Sequence, residues 1–175
     1  VGQISGEHFK NYNISKVVRN DFGVKIYYGG ENEFFDYDKV VIATHADEAL
    51  NIIENPTSEE AMILKNFKYR ENTAIIHFDD SIMPKNKKAW CSWNSSMSKD
   101  NIKKTSVTYW INQLQNLKID KDIFLTINPF REIPEEKIFK KVKFTHPYYD
   151  SDALSNQNNL NKIQNKKNIL FCGSY

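Results

Sequence analysis

The chain has 175 residues, 40% hydrophobic and 13% aromatic, which is enough to build a core and argues against a disordered segment. Its 24 basic and 22 acidic side chains leave a net charge of +2, so charge makes no case for nucleic acid or an anionic membrane as a partner. Cys91 and Cys172 stand far apart with no C-x-x-C pattern, which argues against a disulfide framework or a zinc ribbon and makes a cytoplasmic setting the expectation. No run reaches the ~20 apolar residues that span a bilayer. Asparagine is abundant, which reads as a compositional bias.

In chain order, Gly2 to Tyr12 shows no period. Ile14, Val17 and Val18 lead to a turn at Arg19-Asn20-Asp21, and Gly23 to Tyr28 alternates like a strand. Gly29-Gly30 predicts a tight two-residue hairpin turn, because glycine supplies positive φ without a Cβ clash. The return strand holds Glu33 to Phe35, and the run Val40 to Ala43 reads as a strand buried on both faces. It ends on Thr44 with Asp47 three residues on, which predicts a helix capped by Thr44 and running to Asn55. Small residues, Ala43 and Ala46, let backbone approach a ligand at this strand-to-helix corner, although sheet core plus helix cap would account for the same residues. After Pro56, Thr57 and Glu60 form a capping-box pattern for a second helix.

Beyond Tyr69 the character changes to short β-type runs: Ala74 to Phe78, Ala89 to Trp93, Ser106 to Trp110, Phe124 to Ile127, Ile138 to Phe144 and Ile169 to Cys172. These predict a mostly antiparallel sheet. A short helix is expected after Trp110, with Asn112 as its cap, and a longer one over Ser151 to Gln164.

His77 and Asp79 flank Phe78, so on a strand they share a face and are candidates for an acid–base pair. Trp90, Ser92 and Asn94 share a face opposite Cys91 and Trp93, and Trp90, Trp93 and Asn94 are candidates for the floor of a substrate pocket. The competing reading makes the tryptophans core and ties His77 to a neighbouring backbone group. Lys85, Lys87 and Lys88 ahead of the tryptophans suit a solvated turn better than a nucleic-acid contact. The histidines lack H-x-x-x-H or H-E-x-x-H spacing, so no metal is expected.

Many short motifs recur here in one order: Phe35-Asp36, Val40 to Asp47, Ala49-Leu50, His77-Phe78-Asp79, Met83-Pro84, Ala89-Trp90, Ser92-Trp93-Asn94, Thr108-Tyr109-Trp110, Asn112 to Gln115, Thr126 to Pro129, His146-Pro147 and Gly173-Ser174-Tyr175. In this order the chain resembles predicted FAD-dependent oxidoreductases of the flavin amine-oxidase type. The resemblance implies a fold of α/β plus α+β class: a partial FAD-binding domain over residues 1–68, a mostly antiparallel substrate domain packed by helices over 69–165, and a strand returning to the first domain over 166–175. It implies FAD as cofactor, with Ile14 on a strand that meets the adenine, Ala43 and Thr44 near the phosphates or ribose, and Gly173 against the ribityl-phosphate arm. Ser174 stands where many relatives carry an acidic residue. The family's G-x-G-x-x-G is absent from these residues, so the chain reads as an internal segment. The implied activity is hydride transfer from a small organic molecule to flavin, with amine, unsaturated lipid and polyene substrates open; a non-catalytic β-rich binding module is the alternative.

Overall fold

The structure, a computed structural model, describes residues 5–30, 32–98 and 104–175. The chain divides into two compact units, Val1–Tyr69 with Pro147–Tyr175, and Arg70–His146.

The first unit opens with an antiparallel meander of β1 (Ile14–Arg19), β2 (Val24–Tyr28) and β3 (Phe34–Tyr37). The Asn20 side chain accepts from the N–H groups of Phe22 and Gly23, closing the first turn as asparagine does in Asx-turns. A Cβ on Gly23 would lie 2.1 Å from the Tyr37 carbonyl oxygen, so β3 can pass this turn only against glycine. Gly29 does adopt positive φ, +70°. The loop nevertheless exceeds the expected two residues, since the Tyr28 N–H bonds the Glu33 carbonyl.

β4 (Val40–Ile42) pairs in parallel with the last strand, β10 (Ile169–Phe171), Val40 opposite Ile169 and Ile42 opposite Phe171. Burial on both faces, expected for this run, does not hold: Val41 is 59% exposed, because the two-stranded pair is covered on one side only. That side packs on α1 (Ala46–Ile52) and α2 (Ser58–Leu64), where Val17, Ile42, Ala49, Leu64, Ile163 and Ile169 share one core. α2 has the expected capping box, Thr57 and Glu60 exchanging backbone-to-side-chain bonds of 3.1 and 2.8 Å. The segment 147–165, expected to lie with the antiparallel sheet, belongs to this first unit. Its helix, α4 (Ser151–Asn156), gives way to a 3-10 turn over Gln157–Lys162, and Ala153 and Ile163 point into the core.

The second unit is a five-stranded sheet in the order β6-β7-β8-β5-β9, from β5 (Lys68–His77), β6 (Trp93–Met97), β7 (Thr105–Trp110), β8 (Phe124–Ile127) and β9 (Ile138–Tyr148). The pairs β6–β7, β7–β8 and β8–β5 are antiparallel. The strand expected over Ala89–Trp93 begins only at Trp93. Before it the chain makes a 3-10 turn, Lys87–Ala89, in which the Asn86 side chain accepts from the Lys88 N–H. A short helix, α3 (Ile111–Leu114), follows β7 as expected, but Asn112 does not cap it. Its amide donates to the Lys121 carbonyl and accepts from the Ile123 N–H, pinning the loop that leads to β8.

Candidate functional site

Three of the four residues expected to touch a cofactor come together. β4 and β10 run side by side in the same direction, so Ala43, Thr44 and Gly173 lie just beyond their carboxyl ends, the usual place for a ligand in a parallel sheet. The Cys172 N–H bonds the Ile42 carbonyl at 3.0 Å, and a Cβ on Gly173 would stand 3.0 Å from the Thr44 carbonyl oxygen. Ile14 begins β1, opposite Tyr28. Thr44 is not the cap of α1. His45 takes that position, and the Thr44 hydroxyl donates to the His45 carbonyl instead.

Three backbone donors of this corner are already used. The Ala46 N–H bonds the Tyr69 hydroxyl at 2.6 Å, the His45 N–H bonds Glu48 at 3.1 Å, and the Glu48 N–H bonds Asp47 at 2.9 Å. With two carboxylates in the first turn and no open donor on His45, Ala46 or Glu48, the corner does not suit a phosphate. A neutral, hydroxyl-bearing part of FAD fits better, since exposed Ala43 and Thr44 and the carboxylates offer small volume and acceptors. The space in front of Gly173 holds the Tyr175 ring, 2.3 Å from where a Cβ would stand. That ring packs on Phe67; its hydroxyl is buried without a hydrogen-bond partner among the described residues, and burial pushes its pKa up to about 12. The Ser174 carbonyl accepts from the Tyr149 hydroxyl.

In the second unit, β5 ends at His77, so His77 and Asp79 do not share a strand face. They meet through the backbone: the Asp79 N–H donates to His77 Nδ1 at 3.1 Å. This leaves the proton on Nε2, which faces the Thr126 hydroxyl at 2.7 Å, itself 2.9 Å from the Thr108 hydroxyl. His77 is fully buried, and burial lowers its pKa, so the ring is neutral near pH 7. Burial raises the Asp79 carboxyl, but hydrogen bonds from Lys137 (2.7 Å) and Ser81 (2.8 Å) pull it further down, leaving it below its ordinary value. The two side chains thus serve separate hydrogen-bond sets.

Sheet register separates the other three candidates. Trp90 precedes β6, donates from Nε1 to the Pro84 carbonyl at 2.7 Å, and packs edge-on against Trp110 and Phe124. The Asn94 amide is spent on Cys91, accepting from its N–H and donating to its carbonyl. It stands in the row Asn94, Thr108, Thr126, Ile75 on the covered face of the sheet. Trp93, 62% exposed, starts a row on the opposite face that continues through Tyr109, Leu125 and Ile76. Beside it run Val107, Ile127 and Ala74. Leu125 was not singled out from the sequence, and Tyr109 with Trp110 reads there as packing rather than site; strict alternation from Trp93 across the register is the signal that finds them.

A cavity of about 510 Å³ in the first unit lies by the amino-terminal end of β10, among Arg19, Asn20, Asp21, Asn55 and Asn168. It carries no aromatic wall, and Asp21 offsets the charge of the arginine.

No family model and no curated protein matches the chain. Its fold is similar to that of a CLA-producing fatty acid isomerase from P. acnes, known from its crystal structure, with a TM-score of 0.66 and 12% sequence identity. The similarity takes in 99% of this chain and 44% of the isomerase, so the chain spans less than half of that protein's length.

Proposed function

We propose that the chain is part of an FAD-dependent enzyme whose flavin takes a hydride from a C–H bond of an unsaturated fatty acyl substrate. The observation that carries this reading is the convergence of Ala43, Thr44 and Gly173 at the carboxyl ends of the paired parallel strands β4 and β10, within a fold similar to that of a fatty acid isomerase. The order of motifs that resembles flavin amine oxidases supports the cofactor, and the name of the similar structure favours a fatty acid over an amine or a polyene. When bound, the flavin supplies the electron chemistry, and the protein supplies binding and orientation. Ala43, Thr44 and Gly173 would hold a neutral portion of the cofactor, and the phosphates would need donors from elsewhere. The open row of Trp93, Tyr109, Leu125 and Ile76 suits an extended apolar chain, which four adjacent strands would support over roughly 14 Å. The covered positions of Trp90 and Asn94 favour a supporting role for both.

One observation favours a second reading, a binding module that keeps the fold without redox chemistry: the Tyr175 ring fills the space in front of Gly173. The visible spectrum of the purified protein, expressed with whatever sequence flanks residues 1–175 in its gene, separates the two. Near-stoichiometric flavin released on denaturation supports the enzyme. A protein that stays colourless after incubation with FAD leaves the module.

A further inference from the structure

We infer that Trp90, Trp110 and Asp122 form a binding site for a quaternary ammonium group, occupied in this structure by the chain's own Lys87 as an internal stand-in. The two indole rings stand nearly perpendicular, 88° apart with centroids 5.3 Å from each other, so their faces bound a corner rather than a stack. Each ring is fixed by its own N–H: Trp90 donates to the Pro84 carbonyl at 2.7 Å, and Trp110 donates to Asp122 Oδ1 at 2.9 Å. The second oxygen of Asp122 completes the corner and receives the Lys87 ammonium at 2.8 Å. That ammonium lies 4.9 Å from the Trp90 centroid and 5.8 Å from the Trp110 centroid, within the reach of cation–π attraction.

The chemistry of the corner chooses the ligand. Two indole faces attract a cation within about 6 Å of their centroids, and the bare Lys87 ammonium stands in the outer part of that range for both. A trimethylammonium group presents its methyls to both faces, keeps its charge beside Asp122 and is less costly to desolvate than a primary ammonium. The Lys87 side chain is 63% exposed, so it returns to water readily and its ion pair is of the weak surface kind. The site belongs wholly to the second unit and does not depend on the flavin reading.

The test is a titration with tetramethylammonium chloride, against sodium chloride at equal ionic strength, following the indole N–H resonances by NMR. Trp93, exposed and outside this cluster, is the internal reference. In Lys87→Met the Trp90 and Trp110 resonances should shift with an affinity at least tenfold higher than in the unmodified protein, while Trp93 stays still. Adding Asp122→Asn should weaken that binding at least tenfold. Equal affinity with and without Lys87, or equal shifts at all three tryptophans, overturns the proposal. Should the double variant fail to fold, the comparison of Lys87→Met with the unmodified protein decides alone.

Discussion

The Tyr69 hydroxyl accepts a 2.6 Å hydrogen bond from the Ala46 N–H, so the start of α1 is capped by a side chain 23 residues away in sequence. The Tyr69 ring also stacks on His45, with centroids 4.2 Å apart. Tyr69→Phe keeps the stack and removes the acceptor, so it should cost about 1 kcal/mol, within the range found for lost N-caps. Thr44→Ala should cost less than about 0.5 kcal/mol, because that hydroxyl caps nothing. Urea midpoints at unchanged slope measure both; equal losses would return the cap to Thr44.

Glu60 and Arg19 form a covered ion pair at 2.5 Å between α2 and the end of β1. The Glu60 side chain is fully buried, its other oxygen holding the Thr57 N–H, and Arg19 also donates to the Asn55 carbonyl. Arg19→Met leaves a buried carboxylate without its counter-ion and should cost about 3 to 5 kcal/mol. Arg19→Met with Glu60→Leu removes both charges and should recover at least half of that loss. A double-mutant cycle by denaturation gives the coupling, and simple additivity of the two losses would contradict the pairing.

These two contacts mark the limit of what is legible in the sequence. The Thr57/Glu60 capping box and Gly29 at positive φ are local and appear where the pattern places them, and the antiparallel strands are periodic and follow it except at Ala89–Trp93 and at the last run, which pairs in parallel. Tyr69 and Arg19 act across 23 and 41 residues, and no local spacing announces them. Trp90 lies outside β6 because the chain there makes a 3-10 turn, its backbone N–H bonding the Lys87 carbonyl, a contact that strand alternation does not contain. The asparagines, read as compositional bias, have a conformational role as well. Asn11, Asn55, Asn116, Asn128, Asn165 and Asn168 all hold positive φ, which asparagine tolerates better than other residues with a side chain. The strand-to-helix corner at Ala43 and Thr44 was legible as an approach of small residues to a strand end, and its occupied donors were not.

Gly173→Ala tests what the glycine accommodates. The new methyl would meet the Tyr175 ring and the Thr44 carbonyl, the second of which is backbone and cannot swing away. The substitution should cost about 1 to 3 kcal/mol, as overpacking does, in protein that contains no flavin. Tyr175→Ala in the same chain should return part of the loss. Unchanged thermal stability of flavin-free Gly173→Ala would mean that the glycine serves only a ligand.

His77 sets a pH dependence. Its folded pKa lies below about 6.5, chiefly through burial, and unfolding restores the ordinary imidazole. Below about pH 6.5 the unfolded chain therefore binds more protons than the folded one, so stability falls as pH drops through that value and is level above it. Loss from carboxylates such as Asp79, held below the ordinary range, begins only near pH 4. His77→Gln should flatten the stability curve between pH 6.5 and 5 and leave the acidic limb in place. A slope that survives the substitution would assign it to another group.

Trp93 and Trp90 should part company when each is replaced. Trp90 packs edge-on against Trp110 and Phe124 and donates to the Pro84 carbonyl, so Trp90→Ala opens a void at a half-buried site and should cost roughly 2 to 3 kcal/mol. Trp93 leans on the outer face with 62% of its surface in water, and Trp93→Ala should change stability by no more than about 0.5 kcal/mol. If the row from Trp93 to Ile76 receives an acyl chain, Trp93→Ala should weaken binding of a long-chain unsaturated fatty acid such as oleate, because a ring of this size removes about 150 to 250 Å² from water when covered. Tyr109→Ala, next in the row, should act in the same direction. Calorimetric titration with oleate below its aggregation limit measures this directly. An affinity indifferent to both substitutions would move the acyl chain off this face, whereas a loss confined to Trp90→Ala would track the damage to the fold.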